Sequence, residues 1–339
     1  MSRPFSTLLT ACASGLALSV AACAESETDT GAAGAADTAN AAETGAGTGA
    51  LTGAVQDEAV PAGPSPLEEA VANAPQDAWR TVDPENLLKI STDQGVIWVE
   101  LADAFAPTHT ARMRQLARDN WFEYKVWHRV IDGFMAQGGG ALDNPNASAP
   151  TQPMQAEFTI RRDPNEIEVS EIQQRPVNPR SDRRQTPAGF YNGFPAATQP
   201  AAAAGIMGDG RVDSFLLHCD GAAAMARTGN PNSANAQFYI VRGEAEHLNA
   251  QYTVWGKVRE GLDVVYALNE GTMGETYGFR PSFIEDIEVA SDLPEGERAT
   301  IEVMDTGSAA FADYLTALSQ AEGEAPDLCD IEVPVRVSD

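Results

Sequence analysis

The densest run of chemically useful side chains is Trp127-His128-Arg129-Val130-Ile131-Asp132-Gly133-Phe134-Met135-Ala136-Gln137-Gly138-Gly139. It brings a guanidinium (Arg129) and a carboxamide (Gln137) beside the apolar Phe134 and Met135. Arginine is an always-charged multi-donor, so the run offers hydrogen-bond donation next to apolar surface. Taken singly these types say little, since a strand arginine is most often a surface charge and a Phe or Leu most often core. Two further runs are comparably dense. One is Gly221-Ala222-Ala223-Ala224-Met225-Ala226-Arg227-Thr228 with Asn232-Ser233-Ala234-Asn235-Ala236-Gln237-Phe238-Tyr239-Ile240; the other is His247-Leu248-Asn249-Ala250-Gln251-Tyr252-Thr253-Val254-Trp255-Gly256-Lys257-Val258. Metal chemistry is not indicated: Cys12, Cys23, Cys219 and Cys329 form no CxxC, and His109, His128, His218 and His247 are dispersed.

The elements that must position these runs are mostly strands. Leu88-Lys89-Ile90-Ser91-Thr92 and Val96-Ile97-Trp98-Val99-Glu100-Leu101, separated by Asp93-Gln94-Gly95, read as a hairpin. Pro107-Thr108-His109-Thr110 opens an amphipathic helix through Arg118. Residues 126–131 read as the next strand and Asp132-Gly133 as a turn, followed later by strands at 236–241 and 252–258 and a short helix at 262–268. Strands with only two helices between them predict an antiparallel barrel or sandwich. On a strand His128 points away from Arg129, which favours a structural role, and Phe238 beside Tyr239 is expected in the core.

The three runs, in this order over roughly residues 87–289, resemble the cyclophilins. The resemblance implies a mainly β fold, a closed eight-stranded antiparallel barrel capped by two helices, and peptidyl-prolyl cis-trans isomerase activity. It assigns the essential arginine to Arg129 and the proline pocket to Phe134, Met135, Tyr239 and Leu248. Gln137 would hydrogen-bond the substrate backbone, Ala226 and the backbone of Arg227 would line the same groove, and Gln237 would form a second polar wall. It calls for no cofactor and no metal, takes proline-containing polypeptides as partners, and suggests a monomer. A cyclophilin-like module that binds proline segments without useful catalysis is the alternative.

Some positions depart from the family. His247 stands where Trp is common, which predicts weak cyclosporin sensitivity, and Tyr252 stands for a His. Gly140 replaces an Asp, a change expected to loosen its loop, and Asn230-Pro231 adds a residue before Asn232. About 50 residues more than usual precede Met225. Residues 159–213 hold seven basic and seven acidic side chains and repeated prolines, and read as a long solvated insertion. Its Arg161, Arg162, Arg175, Arg180, Arg183 and Arg184 are candidates for an acidic partner, lipid headgroups or the chain's own tails.

The ends carry the acidity. The formal net charge is −27, with ten carboxylates and no Lys or Arg in residues 24–79, and twelve carboxylates in residues 291–339. That balance argues against a nucleic-acid binder, which needs cationic patches. Arg3 followed by an apolar run from Phe5 to Ala22 has the layout of an export signal, residues 1–22. Val20-Ala21-Ala22-Cys23 resembles the lipobox of bacterial lipoproteins, in which Cys23 would be lipidated and anchor the chain to a membrane facing the periplasm, with the outer membrane favoured by Ala24. Ordinary cleavage after Ala22 or Ala24, giving a soluble periplasmic protein, or an uncleaved anchor helix are the alternatives. Residues 23–83 would then be a lipidated, disordered acidic spacer, 84–290 the cyclophilin-like domain, and 291–339 an acidic extension whose helix near 309–318 packs on the barrel. Cys219 and Cys329 would meet an oxidising compartment, where they are free to pair or not.

Overall fold

The computed structural model describes residues 63–338 apart from Met207 and Glu244. The apolar leader, Cys23 and most of the spacer lie outside the described residues. The hairpin forms as alternation dictates: Leu88 faces Val99 and Ile90 faces Ile97 across the pair Leu87–Thr92 and Gly95–Leu101, all four buried in one core. Gly95 makes the turn at φ +140°, a conformation that side chains rarely adopt.

This hairpin belongs to a ten-stranded antiparallel sheet. Its order is Gly271–Thr272, Arg129–Ile131, Met135–Gly138, Phe238–Val241, Ala222–Met225, Val254–Glu260, Gly95–Leu101, Leu87–Thr92, Phe283–Val289 and Lys125–Val126. Register shifts at Ala223/Ala224, Val258/Glu260 and Ile284/Asp286 help to curl it, because bulges add twist. The expected closed eight-stranded barrel is therefore corrected to a curled sheet. Among the described residues the marginal strand Lys125–Val126 reaches the far side of the sheet through an isolated bridge, Val126–Gly140, just beyond Met135–Gly138. The segment 126–131, expected as one strand, breaks at Trp127 and His128 for the same reason. Val126 N and Trp127 N donate to Gly140 O and Ser282 O at 2.9 Å each, whereas Arg129 onward pairs with Met135–Gly138. One segment serves both margins of the sheet and cannot run straight.

Inside the curl Phe238 meets Phe122, Trp127 and Trp255 edge-to-face at 5.7, 5.4 and 5.8 Å. Met113, Leu116 and Val265 from the helices Pro107–Arg118 and Leu262–Ala267 enter the same core. Pro107 suits a first helical turn, where its missing N–H costs nothing, but Ala106 offers no capping side chain. Glu157 caps the helix from a distance: its carboxylate accepts from Thr108 N and His109 N at 3.1 Å each and meets His109 Nδ1 at 2.6 Å.

The long insertion, read from its charges and prolines as solvated, is a folded sheet. Ile160–Arg162, Val212–Leu216, Phe194–Thr198, Asp182–Tyr191 and Ser170–Asn178 pair antiparallel in that spatial order. The prolines sit where strands tolerate them. Pro176 is on the edge strand, Pro187 lies beyond the Ala188–Tyr191 stretch that pairs with residues 194–197, and Pro195 is second in its strand. Phe194, Ala196 and Leu216 of one face cluster with Ala222, Ala224 and Val254 on the outer face of the main sheet.

The other face receives the two ends of the described chain. Helix Ala309–Glu322 packs here and not on the main sheet as expected: Phe311 meets Phe190 edge-to-face at 5.6 Å, and Tyr314 and Leu318 join that cluster. Order also begins before Pro84. Helix Pro66–Ala72 opens on a Ser65–Glu68 capping box, and Trp79–Thr81 pairs with Thr300–Met304, which pairs in turn with Val335–Ser338. Trp79 is buried in a cluster with Met304 and Phe311, more than 200 residues away, and the Arg336 guanidinium lies 3.7 Å from its ring. Arg80 and Arg259 share Glu100 at 2.7 and 2.8 Å and donate to the carbonyls of Asn192 and Gly193 at 2.9 Å each. Buried ion pairs of this kind fix geometry more than they add stability. A Cys219–Cys329 disulfide, spanning 110 residues, ties the C-terminal segment to the chain just beyond the insertion.

Candidate active site

Alternation along Phe238–Val241 sends Phe238 and Ile240 into the curl and Tyr239 and Val241 to its outer face. Met135 faces outward and Ala136 inward by the same rule. Cross-strand register then lines up one outer row: Arg129 opposite Gln137, Gln137 opposite Tyr239, and Tyr239 opposite Ala224. Residues distant in sequence become neighbours on three consecutive ladders.

Arg129 is placed but not spent. Among the described residues its Nη1 reaches only Met135 Sδ at 3.6 Å, a weak acceptor, and its Cζ stands 5.8 Å from the Phe134 ring. Phe134 stacks on His247 with centroids 5.4 Å apart. Leu248, Tyr252 and Ala226, all half-buried, join Met135 and Tyr239 in one apolar cluster beside it. Gln137 Nε2 donates to Gln237 Oε1 at 3.2 Å, and Gln237 Nε2 donates to Pro145 O and Ala147 O at 2.9 and 3.1 Å. Gln237 is thus occupied in holding Gln137, whose own carbonyl oxygen has no partner among the described residues.

Residues 87–289 match the family described as cyclophilin type peptidyl-prolyl cis-trans isomerase/CLD. The chain belongs to that family. It is 30% identical over 197 residues to a probable peptidyl-prolyl cis-trans isomerase of Brucella suis, covering 57% of this chain and 76% of that one. It is 25% identical over 187 residues to peptidyl-prolyl cis-trans isomerase B of Escherichia coli, covering 53% and 81%. The crystal structure of cyclophilin AquaCyp293 from Hirschia baltica is similar at a TM-score of 0.66 and 34% identity, over 76% of this chain and 93% of that one. That overlap exceeds the span of the family match, so the likeness reaches into the added segments.

Several supports of this cyclophilin's site were not foreseen in its sequence. Tyr239 is buried, and its hydroxyl lies 3.0 Å from His218 Nε2; His218 Nδ1 lies 3.1 Å from Asn249 Oδ1, which also accepts from His218 N at 2.8 Å. Burial lowers the His218 pKa from 6.5 to about 4 and pushes that of Tyr239 well up. Both are neutral near pH 7. Because Asn249 Oδ1 can only accept, the proton sits on His218 Nδ1, so Nε2 accepts from the Tyr239 hydroxyl. Buried singletons such as His218 and Asn249 leave no pattern in a sequence.

A testable consequence is acid sensitivity. Since His218 titrates lower in the fold than its ordinary 6.5, the unfolded chain binds more protons at intermediate pH. The cost is absent above pH 6.5 and grows to about 3 kcal/mol as pH falls towards 4. Urea melts at pH 7.5 and about pH 4.5 should show a smaller acid loss in His218→Gln than in the wild type. Equal losses would reject the assignment.

One departure from the family acquires a reason. A Cβ at Gly140 would lie 2.4 Å from Pro145 O and 2.8 Å from His128 Nδ1. The glycine therefore lets its loop pack closely instead of loosening it, and the family's Asp has no room. His128 is buried, and burial lowers its pKa. The Arg227 guanidinium is consumed internally, by Gln251 O at 3.0 and 2.9 Å, by Thr228 O at 2.8 Å and by the Tyr252 ring at 4.2 Å.

Proposed function

We propose that this isomerase accelerates cis/trans exchange of X–Pro bonds in exported polypeptides, by a non-covalent route centred on Arg129. The X–Pro bond resists rotation because resonance gives its C–N bond partial double-bond character, a barrier of about 18–20 kcal/mol. A catalyst must bind the twisted amide better than either planar form. Twisting localises a lone pair on the proline nitrogen, and a guanidinium beside it gains a hydrogen bond that the planar amide cannot accept. The unspent Arg129 guanidinium, next to Met135 and Phe134, is the observation that carries this reading. Phe134, Met135, Leu248 and Tyr239 would receive the pyrrolidine ring, and the free carbonyl of Gln137 would accept a substrate N–H.

A protease-coupled assay on a proline peptide tests the function with the mature full-length protein. Exchange clearly faster than the uncatalysed process, which takes tens to hundreds of seconds, is expected; no gain over background would leave only a binding module. The export part rests on the leader-like residues 1–22, the Cys23 lipobox and a disulfide of the kind that persists in oxidising compartments. Labelled palmitate should enter the wild type in its bacterial host and be lost in Cys23→Ser. Labelling that survives the substitution would remove the lipid anchor from the proposal.

A further inference from the structure

The six insertion arginines named above have different fates, while the seventh, Arg211, is exposed. Arg161 pairs with Asp209 and Asp213 at 2.7 and 3.0 Å, and Arg162 is buried against Ser214 and Thr198 at 2.9 and 3.0 Å. Arg175 bridges Glu246 and Asp327, and Arg184 pairs with Asp182. Arg180 and Arg183 remain: both are exposed, and neither has a carboxylate partner among the described residues. They lie at the tip of the hairpin joining Ser170–Asn178 to Asp182–Tyr191.

That tip is fixed against the proline pocket by one buried side chain. Asn178 Nδ2 donates to His247 O and Asn249 O at 2.9 and 2.8 Å, while its Oδ1 accepts from Arg180 N and Ser181 N at 3.0 Å each. Gln251 Nε2 adds a bond to Ser181 Oγ at 2.6 Å. Pro179 and Arg180 consequently form a wall of a cavity of about 630 Å³ whose other walls are Phe134, His247 and Glu246. The Glu246 carboxylate is engaged by Arg175, which it shares with Asp327, whereas Arg180 has no carboxylate partner among the described residues. Burial first, and the Arg180 charge second, depress the His247 pKa.

We infer that this hairpin tip sets substrate preference: it favours polypeptides carrying Asp or Glu a few residues from the proline held against Phe134. The inference rests on the isomerase reading above. An extended chain advances about 3.3 Å per residue, so a cavity adjoining the pocket meets residues two or three positions away. The net charge of −27 repels acidic peptides at long range, but salt screens this beyond about 10 Å at 0.1 M. At contact distance Arg180 and Arg183 decide the sign.

The test uses the mature full-length protein and matched peptides with Glu, Gln or Lys at each of three positions on either side of proline. On one flank kcat/KM should be about threefold to fivefold higher for Glu than for Gln, and lower again for Lys, the scale of partly exposed ion pairs. Arg180→Glu should invert the order, and Arg180→Gln with Arg183→Gln should bring the Glu/Gln ratio close to one. The Glu/Gln ratio within each protein corrects for any general loss of turnover. In the wild type the preference should also fade as salt is raised. A ratio near one on both flanks, a ratio unchanged in the double variant, or a ratio indifferent to salt would each overturn the wall. Absence of turnover even on the Gln peptide would remove the isomerase reading and the wall with it; turnover without preference removes the wall alone.

Discussion

Arg129→Ala should lower kcat/KM for X–Pro isomerisation by about 10²–10³-fold, the usual effect of deleting one donor aimed at charge that develops in the transition state. Peptide affinity should change far less. The reason is differential: a planar amide nitrogen is a poor acceptor, so the guanidinium contributes little to ground-state binding and most to the twisted form. The geometry supports this asymmetry, because among the described residues Arg129 reaches only a methionine sulfur and an aromatic ring. Arg129→Lys should recover little, since an ammonium is a point charge without the planar fork of donors. Paired coupled-assay kinetics and calorimetric peptide titration separate the two effects. Affinity losses as large as the loss in kcat/KM would show that Arg129 only binds substrate.

Opening the Cys219–Cys329 disulfide should cost about 2–5 kcal/mol, and lower Tm by roughly 5–15 °C in a domain of this size. The bond closes a span of 110 residues, so the unfolded chain regains much freedom when it is cut. Cys219 is buried among Phe190, Phe311, Tyr314 and Leu328, the cluster where the insertion and the C-terminal segment meet. It also follows His218, whose ring holds the Tyr239 hydroxyl. Cys329→Ser should therefore reduce turnover as well as stability, by loosening the back of the pocket. Thermal melts with thiol titration check this. An unchanged Tm with both thiols demonstrably free would show that packing alone holds the segments.

Much of the candidate site could be read directly because its residues are local along the chain. Arg129, Phe134, Met135 and Gln137 lie in one run, and period-two alternation already separated Phe238 from Tyr239. The hairpin at 87–101 and the helix Pro107–Arg118 followed from turn and start signals alone. The insertion was misread because its prolines outweighed Tyr191-Asn192-Gly193-Phe194, a strong hairpin signal that does join two strands. Whether a proline breaks a strand depends on which of its edges is paired, and that belongs to the neighbours.

By itself the sequence determined the family, the residue types of the candidate row and the alternation that separates core from outer face. Tertiary structure decided that the sheet curls without full closure, that the insertion and both flanking segments fold together, and that Arg180 stands beside Phe134. It also decided which charges are available: Arg161, Arg162, Arg175 and Arg227 are consumed by partners or carbonyls inside the protein, whereas Arg129 and Arg180 have no carboxylate partner among the described residues. The division has one physical cause. Side-chain type and strand period are properties of neighbouring residues, but burial, pairing and availability depend on contacts between segments as far apart as Asn178 and His247.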